Sequence, residues 1–176
     1  MTNQDLTVHQ SQAISLPTEQ IEGLKQPTAA PFKYARKGKG GMTFTYVDIG
    51  YVTGMLNKIF GHMWTFEIKD KGIEKEYGQV WVQGELKVLC SDGKVITKQQ
   101  FGSSDIKMDK GGKAMSVGDD LKSAASDAMK KCASMLGLAA DVYHPKTWNL
   151  VEQMKVKAEQ NDKELSQELD SIAQND

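Results

Sequence analysis

Residues 116–137 read SVGDDLKSAASDAMKKCASMLG, and their spacing decides the fold. Leu121, Ala125, Ala128, Cys132, Met135 and Leu136 recur at intervals of three and four, which brings them to one face of an α-helix. Lys122, Ser126, Lys130 and Ser134 recur every four residues on another. Such a helix packs with one side and meets solvent or a ligand with the other. Both ends carry signals: Ser116 followed by Asp119 has the spacing of a capping box, and Gly137 followed by Leu138 suits a glycine C-cap with its apolar contact. Ala124, Ala125, Ala128 and Ala133 are small enough to let a sheet or a second backbone approach closely. Lys130 and Lys131 in the last turns either complement the helix dipole or meet an anion.

Upstream the hydrophobic period changes to two. Trp64, Phe66 and Ile68 alternate with Thr65, Glu67 and Lys69. Val80, Val82, Leu86 and Val88 alternate with Trp81, Gln83, Glu85 and Lys87, and Val95, Thr97, Gln99 and Phe101 form a third run. Ser91-Asp92-Gly93 is a tight hairpin signal, and the charged KDKGIEKEYG (69–78) reads as a longer turn. Connections this short make an antiparallel meander, whose apolar face the long helix can cover. Before it, Val52, Met55, Leu56, Ile59 and Phe60 share a helical face between Asp48 as N-cap and Gly61 as C-cap. The expected class is therefore α+β: a three-stranded antiparallel β-meander packed on a long C-terminal helix, with a preceding helix.

The 176 residues, 39% hydrophobic and 26% charged, suit one ordinary domain with tails. Residues 1–30 are rich in Gln, Thr and Ser and are expected to be partly disordered, apart from a helix-compatible stretch at 16–24. Residues 31–148 make the domain. Residues 149–176 are polar on most sides and read as a solvated helix or a disordered tail. A net charge of −1 hides a division: residues 1–32 sum to −2, 33–131 to +5 and 132–176 to −4. A basic centre between acidic ends points to an anionic ligand in the middle. Within it, Phe32 to Gly41 places four cations and three glycines around Tyr34, a loop able to track phosphates beside a stacking ring. Gly102 to Met115, with Lys107, Lys110 and Lys113 and the pair Gly111-Gly112, is too long and too charged for a simple connector.

Other chemistries lack their residues. A phosphate loop needs G-x-x-x-x-G-K-[ST]; before Gly112-Lys113 the first position is Lys107 and Ala114 follows, and before Gly38-Lys39 it is Lys33 and Gly40 follows. No ATP site is expected. His9, His62 and His144 have no metal-ligand frame, Cys90 and Cys132 have no partner at ligand spacing, and no Ser or Cys stands in a nucleophile elbow. Asp119 and Asp120 could hold a nuclease metal, but in the first turn of a helix they more simply favour its dipole. No apolar run reaches the ~20 residues of a membrane span, and the N-terminus lacks the order of a signal peptide.

Two segments carry a resemblance. Tyr46-Val-Asp-Ile-Gly-Tyr-Val-Thr-Gly-Met-Leu-Asn-Lys-Ile-Phe-Gly61, followed by Trp64, has a tyrosine and an acidic residue, then a V…LN..FG helix and a tryptophan. Lys113-Ala-Met-Ser116, continuing to Asp127-Ala-Met-Lys-Lys-Cys-Ala-Ser-Met-Leu-Gly137, is a helix of A..DA.KR....LG type. In this order, over about residues 30–145, they resemble the Rad-fifty-two family of single-strand annealing proteins, including its phage and prokaryotic members. The resemblance implies a DNA-binding protein of recombination and repair with no enzymatic site, no cofactor and no metal. It also implies a homo-oligomeric ring or helical array whose groove holds single-stranded DNA with its bases exposed for pairing. Lys130 and Lys131 match the lysine and arginine lining that groove, and Lys113 matches a lysine of an outer site for a second strand or duplex, beside Lys110 and Lys107. Tyr51 and Ser134 stand where members often have arginines; Tyr51 is counted with the DNA-binding positions, and Lys122, Arg36, Lys37 and Lys39 are expected to supply charge. A metal-dependent nuclease and a plain single-strand-coating protein remain as alternatives. The acidic tail is expected to meet a single-strand-binding protein or another recombination partner, and the protein to act in the cytoplasm of a prokaryotic or phage-infected cell.

Overall fold

In the computed structural model the elements are α1 (Thr18–Leu24), β1 (Lys33–Lys37), β2 (Thr43–Val47), α2 (Ile49–Phe60), β3 (Trp64–Glu74), β4 (Gln79–Leu89), β5 (Val95–Asp105), α3 (Val117–Ser134), α4 (Ala140–Tyr143) and α5 (Pro145–Ala173). The structure describes residues 16–90 and 93–173. Ser91 and Asp92 of the expected hairpin turn, and the expected disorder of residues 1–15, lie outside them. Next to that pair, Gly93 has a φ of 80° and donates its N–H to the Cys90 carbonyl at 3.0 Å.

The α+β architecture is as expected: β3, β4 and β5 form an antiparallel meander, and α3 lies across one of its faces. On that face β4 buries Val80, Val82, Leu86 and Val88; on the other, Trp81, Gln83 and Lys87 stay partly exposed. Each strand spans eleven residues, longer than the alternation alone indicates. Lys69 to Glu74, expected in a turn, belong to β3. Charges are tolerated there because β3 is an edge strand, and a register shift between Ile68 and Asp70 loosens its pairing. Gly102 to Asp105, expected in the loop, continue β5.

In α3 the Ser116 hydroxyl accepts the Asp119 N–H at 3.3 Å, as the capping spacing predicts. Its buried stripe is turned from the expected one. Asp120, Ala124, Ala128, Cys132 and Ser134 face inward, whereas Met135 is 43% exposed. Two sheet glycines explain the shift. A Cβ at Gly102 would overlap the Ala124 carbonyl and the Ala128 nitrogen, and one at Gly84 would overlap the Phe66 ring. The sheet thus meets the helix backbone itself, along the line of Ala124 and Ala128. Helix α2, capped by Asp48 Oδ1 on the Gly50 N–H at 2.7 Å, completes the core with Val52, Leu56 and Phe60 packed near Leu86, Val88 and Cys132.

The glycine-rich segment read as a loop instead forms the first strand and the turn of a second sheet, the β1–β2 hairpin, with Tyr34 opposite Tyr46 and Arg36 opposite Phe44. Its base is fastened to α4. The Asp141 carboxylate accepts the Thr28 N–H at 3.1 Å and the Thr28 hydroxyl at 2.7 Å, and lies 2.8 Å from Lys33 Nζ. Burial pushes the Asp141 pKa up, but the Lys33 ammonium and the Thr28 donors outweigh it and hold the carboxyl below its ordinary value. Helix α5 extends over 29 residues with Leu150, Val151 and Met154 exposed. Among the described residues no helix is long and apolar enough to cross a membrane.

Candidate nucleic-acid interface

Between the β1–β2 hairpin, the far end of β5 and α3 runs an open groove of about 960 Å³, floored in part by Tyr143 of α4. Its cations come from three elements: Arg36 of β1, Lys107 just after β5, and Lys130 and Lys131 of α3. Strand alternation explains the hairpin's share. Tyr34 and Arg36 on β1 pair with Tyr46 and Phe44 on β2, so all four side chains emerge on one face. The Tyr34 and Tyr46 rings lie 5.6 Å apart. The Arg36 guanidinium and the Lys130 ammonium each stand 5.9 Å from the centre of the Tyr46 ring.

Lys130 and Lys131, adjacent in sequence, are differently employed. Desolvation is the chief cause that lowers the Lys130 pKa; Asp127 pulls it back up, and nearby Arg36 pushes it down again. A half-buried ammonium beside another cation is electrostatically underserved, and an incoming phosphate would relieve it. Lys131 is already engaged: Nζ lies 2.8 Å from Asp127 Oδ2 and donates to the Phe101 carbonyl at 3.2 Å. Asp127 also accepts the Ser103 N–H at 3.3 Å. Lys107 lies 3.4 Å from the buried Asp120 Oδ1, and its backbone N–H donates to Asp120 Oδ2 at 3.1 Å.

The remaining expected residues are dispersed. Lys110 and Lys113 sit on a separate exposed turn, ordered by Asp109 Oδ1 accepting the N–H groups of Gly111 at 2.8 Å and Lys113 at 2.9 Å. Lys122 is exposed and pairs with Asp119 at 3.0 Å, outside the groove. Lys37 is exposed at the hairpin's end, and the side chain of Lys39 lies outside the described residues. Tyr51 is not in the groove lining. It packs on Phe32, ring centres 4.9 Å apart, near Thr28 and Asp141, where burial raises its pKa. Ser134 is buried, its hydroxyl donating to the Lys131 carbonyl at 2.8 Å and lying 3.0 Å from His144 Nε2.

Sequence reasoning left Tyr46, Tyr143 and Asp127 out of the site. Period-two spacing of Tyr34 with Arg36 and of Phe44 with Tyr46 was the available signal for the first, masked by the glycines between the strands. Asp119 and Asp120, the pair considered for a metal, are tied to Lys122 and Lys107.

A family model described as Rad52/22 family double-strand break repair protein matches residues 18–162. The chain belongs to the Rad52/22 family. The match opens at the first residue of α1 and closes within α5, so the hairpin, the meander, α3 and the groove they enclose all fall inside the Rad52/22 region. Family membership places the chain among proteins of DNA repair and recombination, whose general activity is single-strand annealing. No curated protein matches the chain.

Proposed function

We propose that this Rad52/22 family protein binds single-stranded DNA in the groove between the β1–β2 hairpin and α3 and anneals complementary strands without ATP or a metal. The observation that carries this reading is the convergence of Arg36 and Lys130 on the Tyr46 ring. Two cations beside an aromatic face suit a phosphate backbone with a sugar or base against the ring, which gives little sequence preference and strong salt dependence. The open groove suits one strand better than a closed pocket would, and the half-buried state of Lys130 favours an anion there. The turn carrying Lys110 and Lys113, separate from the groove, is assigned to a second strand or duplex. Copies of the chain associate, each contributing its groove to a longer track, and residues 149–176 serve a protein partner.

Annealing of two complementary oligonucleotides in EDTA without nucleotide tests the activity, and pairing no faster than without protein would sink it. Binding that slows pairing would mark a coating protein. Arg36→Ala and Lys130→Ala should each weaken binding on all sequences alike and flatten the slope of log K against log salt by about 0.9. Fluorescence anisotropy on labelled single strands at several salt concentrations, with circular dichroism as a check on folding, reads both.

A further inference from the structure

The groove that presents four cations also holds three carboxylates, Asp48, Asp105 and Asp127. Two are occupied by local structure: Asp48 caps α2 through the Gly50 N–H, and Asp105 Oδ1 accepts from Gln79 Nε2 at 3.1 Å. Asp127 differs. It is one helical turn before Lys131, its carboxylate is 2.8 Å from the Lys131 ammonium, and it also bears electrostatically on Lys130. A phosphate arriving in the groove therefore meets a lysine that already has a partner. We propose that Asp127 restrains the grip on single-stranded DNA by competing with phosphate for Lys131, so that a bound strand is released readily into a duplex. The inference rests on the groove being the single-strand site.

The chemistry supports a competitor rather than a strut. The Lys131–Asp127 pair is partly exposed, with side chains 42% and 27% accessible, so exchanging the carboxylate for a phosphate carries little desolvation cost. The structural duty of Asp127, accepting the Ser103 N–H, needs only an oxygen, which an asparagine supplies. The anionic charge itself is not required for that bond. A protein that anneals must hold each strand long enough to meet its complement and then let the product go, and an internal anion beside one of two adjacent lysines sets that balance.

The test is Asp127→Asn, measured by anisotropy on a labelled oligothymidylate across a salt series, alone and combined with Lys131→Gln. Asp127→Asn should tighten binding about two- to fivefold, the range expected when an exposed ion pair ceases to compete, and steepen the salt slope toward one further phosphate contact, about 0.9. In the Lys131→Gln background most of the gain should be lost, leaving only what Asp127 exerts through Lys130. With complementary strands, the tighter variant should release duplex more slowly. Wild-type affinity and slope in a folded Asp127→Asn variant, or a gain undiminished by Lys131→Gln, would overturn the proposal. Should the variant fold poorly, single lysine variants decide: Lys131→Gln should cost less affinity than Lys130→Gln, and equal or greater cost overturns it. If the wild type itself does not bind single strands, the groove assignment fails and this inference with it, an outcome visible before any variant is made.

Discussion

Glu85 shows how strictly one side chain can be set by its neighbours. Though on the outer face of β4, it is only 6% exposed, with Lys87 Nζ at 2.8 Å, Lys69 Nζ at 3.6 Å and the Gln99 amide donating to its other oxygen. The Lys87 bond, then the Gln99 bond, lower its pKa from 4.5 to about 2 against the opposing effect of burial. A carboxyl lowered on folding adds stability that is fully present above its ordinary pKa and is lost as pH falls through the folded value. Glu85→Gln should therefore melt below the wild type at pH 7, and the gap should close between pH 4.5 and about 2. Thermal melts across that range check it; a gap unchanged at pH 2 would show that the amide harms packing rather than charge. Lys87, whose pKa the Glu85 bond raises, is left without its best partner in the variant.

At the scale of elements, the decisive contact is the place where α3 presents only Ala124 and Ala128 and the sheet presents Gly102. Gly102→Ala has nowhere to put its methyl, because the obstructing atoms are the backbone of α3. The expected cost is about 1–3 kcal/mol or more, read as a lower urea midpoint, and near-neutrality would mean that α3 stands further from β5 than the structure has it. Elements governed by periodicity were legible from residues alone: α2, α3 and the three long strands follow apolar repeats of 3.6 and 2. The β1–β2 hairpin was not, because its strands are only five residues each, exposed throughout β1 and over the first three residues of β2, and the glycines around Lys39 speak for a loop. The rotation of α3 was hidden for a different reason. It depends on Gly84 and Gly102, far from the helix in sequence, and pairwise proximity leaves no mark on a periodicity. Lys130 was legible as a candidate, and it lines the groove; the Phe101 contact of Lys131 was not, since it needs that carbonyl brought alongside.

For the whole molecule, the charge division along the chain has a spatial counterpart: the groove draws on residues 36–143, and no residue of α5 lines it. Deleting residues 150–176 should leave binding and annealing of naked strands intact, measured on the same oligonucleotides. Abolished annealing would mean that the helix contributes to the DNA-binding body. Assembly is expected to exceed one copy, so light scattering should give a mass above 19.5 kDa with or without DNA; the monomer mass under both conditions would end the oligomer reading. How copies join is narrowed by the edges of the meander. On β5 three backbone groups of its later half are spoken for: the Phe101 N–H by the Gln100 side chain, its carbonyl by Lys131, and the Ser103 N–H by Asp127. On β3 the run Lys69, Asp70 and Lys71 and the local register shift make a poor template for another strand. The proposed crowding of copies onto one polymer would raise their local concentration, where merging sheets would be an irreversible trap. Edges blocked in this way would leave side-chain surfaces for neighbours to share, so the proposed assembly could pack its copies side by side without fusing their sheets.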